Sequence, residues 1–211
     1  MATPQAARRA GPADAFVPMI VMIAAMWVLE IVDVPLDGRL DRFGIRPRQL
    51  DGLDGLVFAP FLHLGFGHLI ANTIPFVVMG GVICLSGPKR FVQVTLIVGL
   101  VSGVGVWLTG AGNSLVIGAS GLVFGYLTYL VVRGIFARNL LYLAGGAVVL
   151  AIYGGVLWGL LPRPGISWQG HLFGAVGGVV AAAVLHGSTG EDQAGTASSS
   201  GSTSTTLRPP R

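Results

Sequence analysis

The stretch FVQVTLIVGLVSGVGVWLTGAGNSLVIGASGLVFGYLTYLVV, Phe91 to Val132, decides how this chain is read. It holds no Asp, Glu, Lys or Arg. A transmembrane helix needs about 20 apolar residues. The run is therefore too long for one span and long enough for two. Its middle, Thr109-Gly110-Ala111-Gly112-Asn113-Ser114, is made of residues that favour turns. The spacing predicts one span over about 91–109 and another over about 118–133.

The rest of the chain repeats this theme. Of the 211 residues, 53% are hydrophobic and 10% charged, against roughly 25% charged in a soluble domain. The mean hydropathy is +0.75. A disordered chain is excluded, and a soluble globular one does not fit. Ala15 to Val32 forms a first span broken only by Glu30, and it reads as a signal anchor. Leu64 to Ser86 forms a second span, closed by Lys89 and Arg90. Asn139 to Leu161 forms a fifth, ended by Pro162-Arg163-Pro164, and Trp168 to about Leu185 forms a sixth. The expected fold is an all-α membrane bundle of six transmembrane helices over residues 15–187. Residues 1–14 form a polar N-terminal segment. Residues 188–211, rich in Gly, Ser and Thr, cannot bury an apolar face and are expected to be disordered.

Residues 33–62 differ in kind. They carry five Asp, four Arg and three Pro among apolar residues. That mixture suggests a structured first loop lying at the membrane interface. The net charge of +4 would suggest nucleic acid in a soluble domain. Here the basic residues sit singly or in pairs between apolar runs, which suits lipid headgroups, and no nucleic-acid partner is expected. Six spans place both termini on one side, together with Arg8, Arg9, Lys89, Arg90, Arg133 and Arg138. The positive-inside rule makes that side cytoplasmic, with Arg163 and the four first-loop arginines as exceptions. Cys84 stands alone and fits neither a disulfide nor a Cys-based metal pattern.

Polar side chains inside spans are expensive and tend to mark function. Five stand out. His68 and Asn72 lie four apart on span two, on one helical face. His63 precedes them. Ser120 lies in Gly118-Ala119-Ser120-Gly121 at the start of span four, where its own amide can face developing negative charge. His171 lies in span six among Gly170, Gly174 and Gly178, a spacing of four that permits close helix packing. Gly121 and Gly125 offer the matching face on span four. Packing the two faces would bring Ser120 and His171 within hydrogen-bond reach. The pattern is that of a serine nucleophile, a histidine base and side-chain donors for an oxyanion. With no Asp or Glu in spans two to six, the unit is a dyad rather than the usual triad. Phe124, one turn beyond Ser120, is placed to stack on the histidine ring.

These motifs, His63-x4-His68-x3-Asn72, Gly118-x-Ser120-Gly121 and His171 in a glycine-rich last span, resemble those of the rhomboid intramembrane serine proteases. Order, spacing and span agree from about residue 55 to 180. The resemblance implies a six-helix bundle with a water-filled cavity open to the extracytoplasmic side of the cell membrane. It implies that Ser120 attacks a peptide carbonyl and that His171 takes and returns the proton. His68, Asn72 and the Ser120 amide would hold the oxyanion. His63 would be structural, tying the first loop to the bundle, and span five would be the gate for a substrate helix. Substrates would be transmembrane proteins with helix-weakening residues and a small residue before the cut. No metal or organic cofactor is implied. Two departures stand out. The loop has Phe43-Gly-Ile-Arg46-Pro-Arg48 where many members carry a Trp-Arg pair. Phe124 stands where many have tyrosine.

Two other readings compete. One is a rhomboid-like binder of membrane helices without proteolysis, against which stands the presence of both Ser120 and His171. The other is a transporter with a histidine-lined metal or proton path. Against it stand the lack of intramembrane carboxylates in spans two to six and of an inverted repeat. There is also no His-Glu-x-x-His for a zinc protease and no pair of span aspartates for an aspartyl one.

Overall fold

The computed structural model describes residues 11–186. The expected tail at 188–211 and most of the segment 1–14 lie outside the described residues. Seven α-helices occur among the described residues, with no strand: α1 Val17–Asp33, α2 Gly55–Phe58, α3 Gly65–Cys84, α4 Pro88–Thr109, α5 Ser120–Phe136, α6 Leu140–Tyr153 and α7 Trp168–His186. The chain is an all-α membrane bundle. Five helical segments are long and apolar enough to cross a bilayer: Ala13–Leu36, Gly65–Cys84, Pro88–Thr109, Leu140–Leu160 and Trp168–His186. The sixth, α5, has 17 residues, about 25 Å at 1.5 Å per residue. It can be short because it is the covered centre of the bundle, touching α3, α4, α6 and α7.

Lipid is as apolar as leucine, so these helices associate by close packing and internal hydrogen bonds rather than by escape from water. The α3–α4–α5 junction is aromatic. Phe76, Phe91 and Tyr126 meet with centroids 5.3 to 6.3 Å apart. The Tyr126 hydroxyl is 2.6 Å from Thr95 Oγ1, so the buried phenol is not left unpaired. The α5–α7 junction is made of glycine. A Cβ at Gly174 would strike the Gly121 carbonyl, and one at Gly178 would strike that of Gly125. The two backbones thus touch along the stripes read from the sequence.

Two span boundaries differ from expectation. Span four begins at Ser120, not near 118, because Gly118 has φ +108°, a conformation that cannot start a helix. Span five is not one continuous α-helix over 139–161. Its α-helical part, α6, starts after the Asn139 N-cap, whose side chain accepts from the Tyr142 N–H. It ends at Tyr153, and Gly154–Leu160 continues as a 3-10 turn. The Gly154-Gly155 pair weakens the α-helix there, each glycine costing roughly 1 kcal/mol relative to alanine.

The first loop is structured, as expected. It folds as short helical turns at Val34–Leu36, Asp41–Phe43, Leu50–Gly52, Gly55–Phe58 and Ala59–Phe61. It is anchored to the bundle without a Trp-Arg pair. Arg48 Nη1 donates to the carbonyls of Leu108 and Gly110 at the end of α4. Trp107 Nε1 donates to the Gln49 carbonyl. Asp33 accepts from the Leu40 N–H at 2.7 Å. Glu30, the lone charge of the first span, is buried.

Candidate active site

Ser120 is the first residue of α5, and the segment leading to it is held from two sides. Ile45 and Val116 exchange backbone hydrogen bonds of 2.9 and 3.0 Å. The Gly118 N–H donates to the Ala59 carbonyl at 2.8 Å. The first loop therefore braces the turn that presents the serine. Gly118 is required there on two counts. Its φ is positive, and a Cβ would lie 2.7 Å from the His68 ring.

His171 stands one turn into α7. The glycine contact between α5 and α7 sets its distance to the serine: His171 Nε2 lies 3.0 Å from Ser120 Oγ. Its ring stacks on Phe124, with centroids 4.1 Å apart and planes 6° from parallel. On the other side its Nδ1 lies 2.8 Å from the Gly159 carbonyl oxygen. Phe124 thus keeps the ring contact that tyrosine would make.

A cavity of about 370 Å³ opens above these atoms, lined by His68, Asn72, Ser120, Phe124, Gly159 and His171 among others. His68 Nδ1 accepts from the Leu64 N–H at 3.2 Å. A neutral His68 therefore carries its hydrogen on Nε2, the nitrogen that faces Gly118. Asn72 Nδ2 donates one hydrogen to the His68 carbonyl, which sets the amide's rotamer and leaves its second hydrogen to the cavity. Pro75 has no N–H for the Ala71 carbonyl, and both residues line the same cavity. Backbone and side-chain polarity thus concentrate in the first half of α3.

His63 is placed differently. It is buried, lies outside the cavity lining, and meets the His68 ring edge-on at 5.2 Å. Burial, with the neighbouring His68, pushes it down to about 4, against a weaker opposing effect of the Phe61 backbone. A neutral ring there packs His68 from behind. Gly121 supports the site by closeness: a Cβ would strike Ser102 Oγ.

Sequence reading missed two contributors. Ser102 on α4 is buried and donates to the Gly170 carbonyl at 2.9 Å, tying α4 to α7 behind Ser120. Its one signal was a hydroxyl in an otherwise apolar run. Gly159 acts through its backbone and gave no signal. Away from the site, His186 Nε2 lies 2.9 Å from the Tyr129 hydroxyl at the opposite end of the bundle.

With this arrangement in view, the comparisons with known proteins are decisive. A model of the rhomboid domain matches residues 51–188, well over half the chain. The chain belongs to the rhomboid family. Among its relatives are uncharacterised proteins of Mycobacterium tuberculosis (strain ATCC 25618 / H37Rv) and Mycobacterium bovis. Each is 46% identical over 176 residues, which is 79% of this chain and 73% of the relative. An uncharacterised protein of Mycobacterium leprae (strain TN) is 44% identical over 178 residues, 80% of this chain and 70% of its own length. This rhomboid thus carries its serine, stacked histidine and cavity at one end of a multi-pass bundle.

Proposed function

We propose that this rhomboid is an intramembrane serine endopeptidase that hydrolyses peptide bonds in or near transmembrane helices of other proteins. The observation that carries the reading is the 3.0 Å approach of Ser120 Oγ to His171 Nε2 inside a cavity between membrane helices. A serine hydroxyl is a weak nucleophile until a base takes its proton. In the proposed reaction Ser120 Oγ bonds to the scissile carbonyl carbon as its proton passes to His171 Nε2. The carbonyl oxygen becomes an oxyanion, and the Ser120 N–H, His68 Nε2–H and the free Asn72 hydrogen are its donors. His171 then gives its proton to the departing amine. A water attacks the acyl-serine and loses its proton to His171; as the acyl–oxygen bond breaks, the acid departs and His171 returns that proton to Ser120 Oγ.

A helix ties up its carbonyls in hydrogen bonds, so the substrate must unwind locally to be cut. Helix-weakening residues and a small residue before the cut favour this. The site operates without metal or organic cofactor. The protein acts in the cell membrane among lipids, with both termini cytoplasmic and the cavity facing outward.

The experiment is cleavage of a model transmembrane substrate in proteoliposomes, with fluorophosphonate labelling of the serine. Ser120→Ala is expected to abolish both while leaving expression intact. Turnover at the parent rate by that variant overturns the mechanism. Loss of His68 or Asn72 is expected to slow cleavage by about 10²–10³-fold, the usual cost of one oxyanion donor. Labelling without any turnover would instead indicate a helix-binding member.

A further inference from the structure

A histidine base works only if its Nε2 lone pair faces the serine hydroxyl, which requires the ring hydrogen to sit on Nδ1. In a triad a buried carboxylate ensures this. Between Asp54 and His186 this chain has no Asp or Glu at all. What stands at Nδ1 is the Gly159 carbonyl oxygen, 2.8 Å away. A carbonyl oxygen only accepts, so this bond exists only with hydrogen on Nδ1. Nε2 is then bare, 3.0 Å from Ser120 Oγ.

We propose that Gly159 is the positioning residue of this rhomboid, its backbone carbonyl standing where a triad has its carboxylate. The inference rests on the protease reading. The glycine is needed for the approach. A Cβ at 159 would lie 3.0 Å from both His171 Nδ1 and Phe124 Cζ. The ring is thus gripped on two sides, by the Phe124 stack and by the carbonyl. When Nε2 takes the serine proton, the Nδ1–H bond persists and strengthens, because its donor is now charged. No proton moves to Gly159. The carbonyl belongs to the 3-10 turn Gly154–Leu160 and the imidazole to α7, so orientation of the base depends on where that turn rests.

The test reads the ring directly. The full chain is labelled with ¹⁵N-histidine in lipid nanodiscs, and a His171→Gln variant identifies the signal. The neutral ring is expected to carry hydrogen on Nδ1, and an Nε2–H ring overturns the proposal. This arm needs no substrate, so its failure is distinct from failure of the protease reading, which Ser120→Ala tests. In the second arm Gly159→Ala is expected to lower kcat about 10–100-fold, the scale of a small misplacement. KM should stay near the parent value, and the acid limb of the pH–rate profile should move. Gly155→Ala adds a methyl to the same turn where nothing lies within 4 Å, and is expected to be silent. Equal losses in both variants, or a folded Gly159→Ala with parent kcat and pH profile, overturn the proposal. If Gly159→Ala does not fold, the NMR arm decides.

Discussion

α5 is flanked by α7 and α6, and its two faces are built on different principles. Towards α7, glycine meets glycine. Gly121 and Gly125 abut Gly174 and Gly178 closely enough that no Cβ fits. Thr128 Oγ1 adds a 2.7 Å bond to the Ala175 carbonyl. Towards α6, the contacts mix glycine with large side chains. Gly134 packs under Leu143 and Gly146 under Leu130, and the Arg133 guanidinium lies 4.3 Å from the Tyr142 ring centroid. Of α6 itself only Gly146 and Val149 are buried, and it gives way to the 3-10 turn. The difference follows from how helices associate in lipid, where shape fit replaces the hydrophobic effect. The tightly seated helix carries the histidine. The less buried one leads into the 3-10 turn that carries only a carbonyl, and sparse packing marks the part of a fold that opens most readily.

The comparison breaks if the two faces respond alike to added bulk. Gly174→Val is expected to have the largest effect, because the obstacle is backbone and neither helix can yield without separating Ser120 from His171. Cleavage should fall by more than about 100-fold, with a clear drop in the thermal midpoint in detergent. Retention of most activity would mean that the α5–α7 contact does not set the dyad. Gly146→Ala comes next. Its Cβ would lie 2.6 Å from the Leu130 carbonyl. Overpacking of this kind costs about 1–3 kcal/mol, and denaturation should register it while activity falls less than in Gly174→Val.

Smaller changes sharpen the same contrast. Tyr142→Leu removes the ring over Arg133, an interaction worth about 0.5–2 kcal/mol depending on desolvation. Thermal unfolding should show that loss, with kcat unchanged. Gly145→Ala is the mildest. The added methyl meets nothing within 4 Å, so it should raise stability by roughly 0.5–1 kcal/mol through helix propensity alone. A destabilised Gly145→Ala would show that α6 is packed more closely than its exposure indicates.

Much of the site was legible because it is written in local spacing. His68 and Asn72 share a face because they are four apart. The stripes 121/125 and 170/174/178 specify which helices touch. Gly118 stood out as glycine before a serine, and its positive φ supplies the reason. The first-loop anchoring was not legible. Arg48 and Trp107 work through backbone carbonyls some sixty positions away, and any residue could have supplied those. The passage of span five into a 3-10 turn was hinted only by the Gly154-Gly155 pair, and glycines also occur within continuous membrane helices.

Sequence by itself determined the membrane class, the approximate spans, the serine and histidine that stand together and the glycine faces able to bring them together. Apolar run length, helical period and side-chain chemistry are all properties of the chain read in order. Tertiary structure alone decided which nitrogen of His171 faces the serine, because that depends on a carbonyl twelve residues back, carried on another element. It alone decided that Ser102 braces α7 behind Ser120 and that the first loop clamps the serine turn. Backbone groups are the same at every position, so a site built partly from them becomes visible only when the helices are packed.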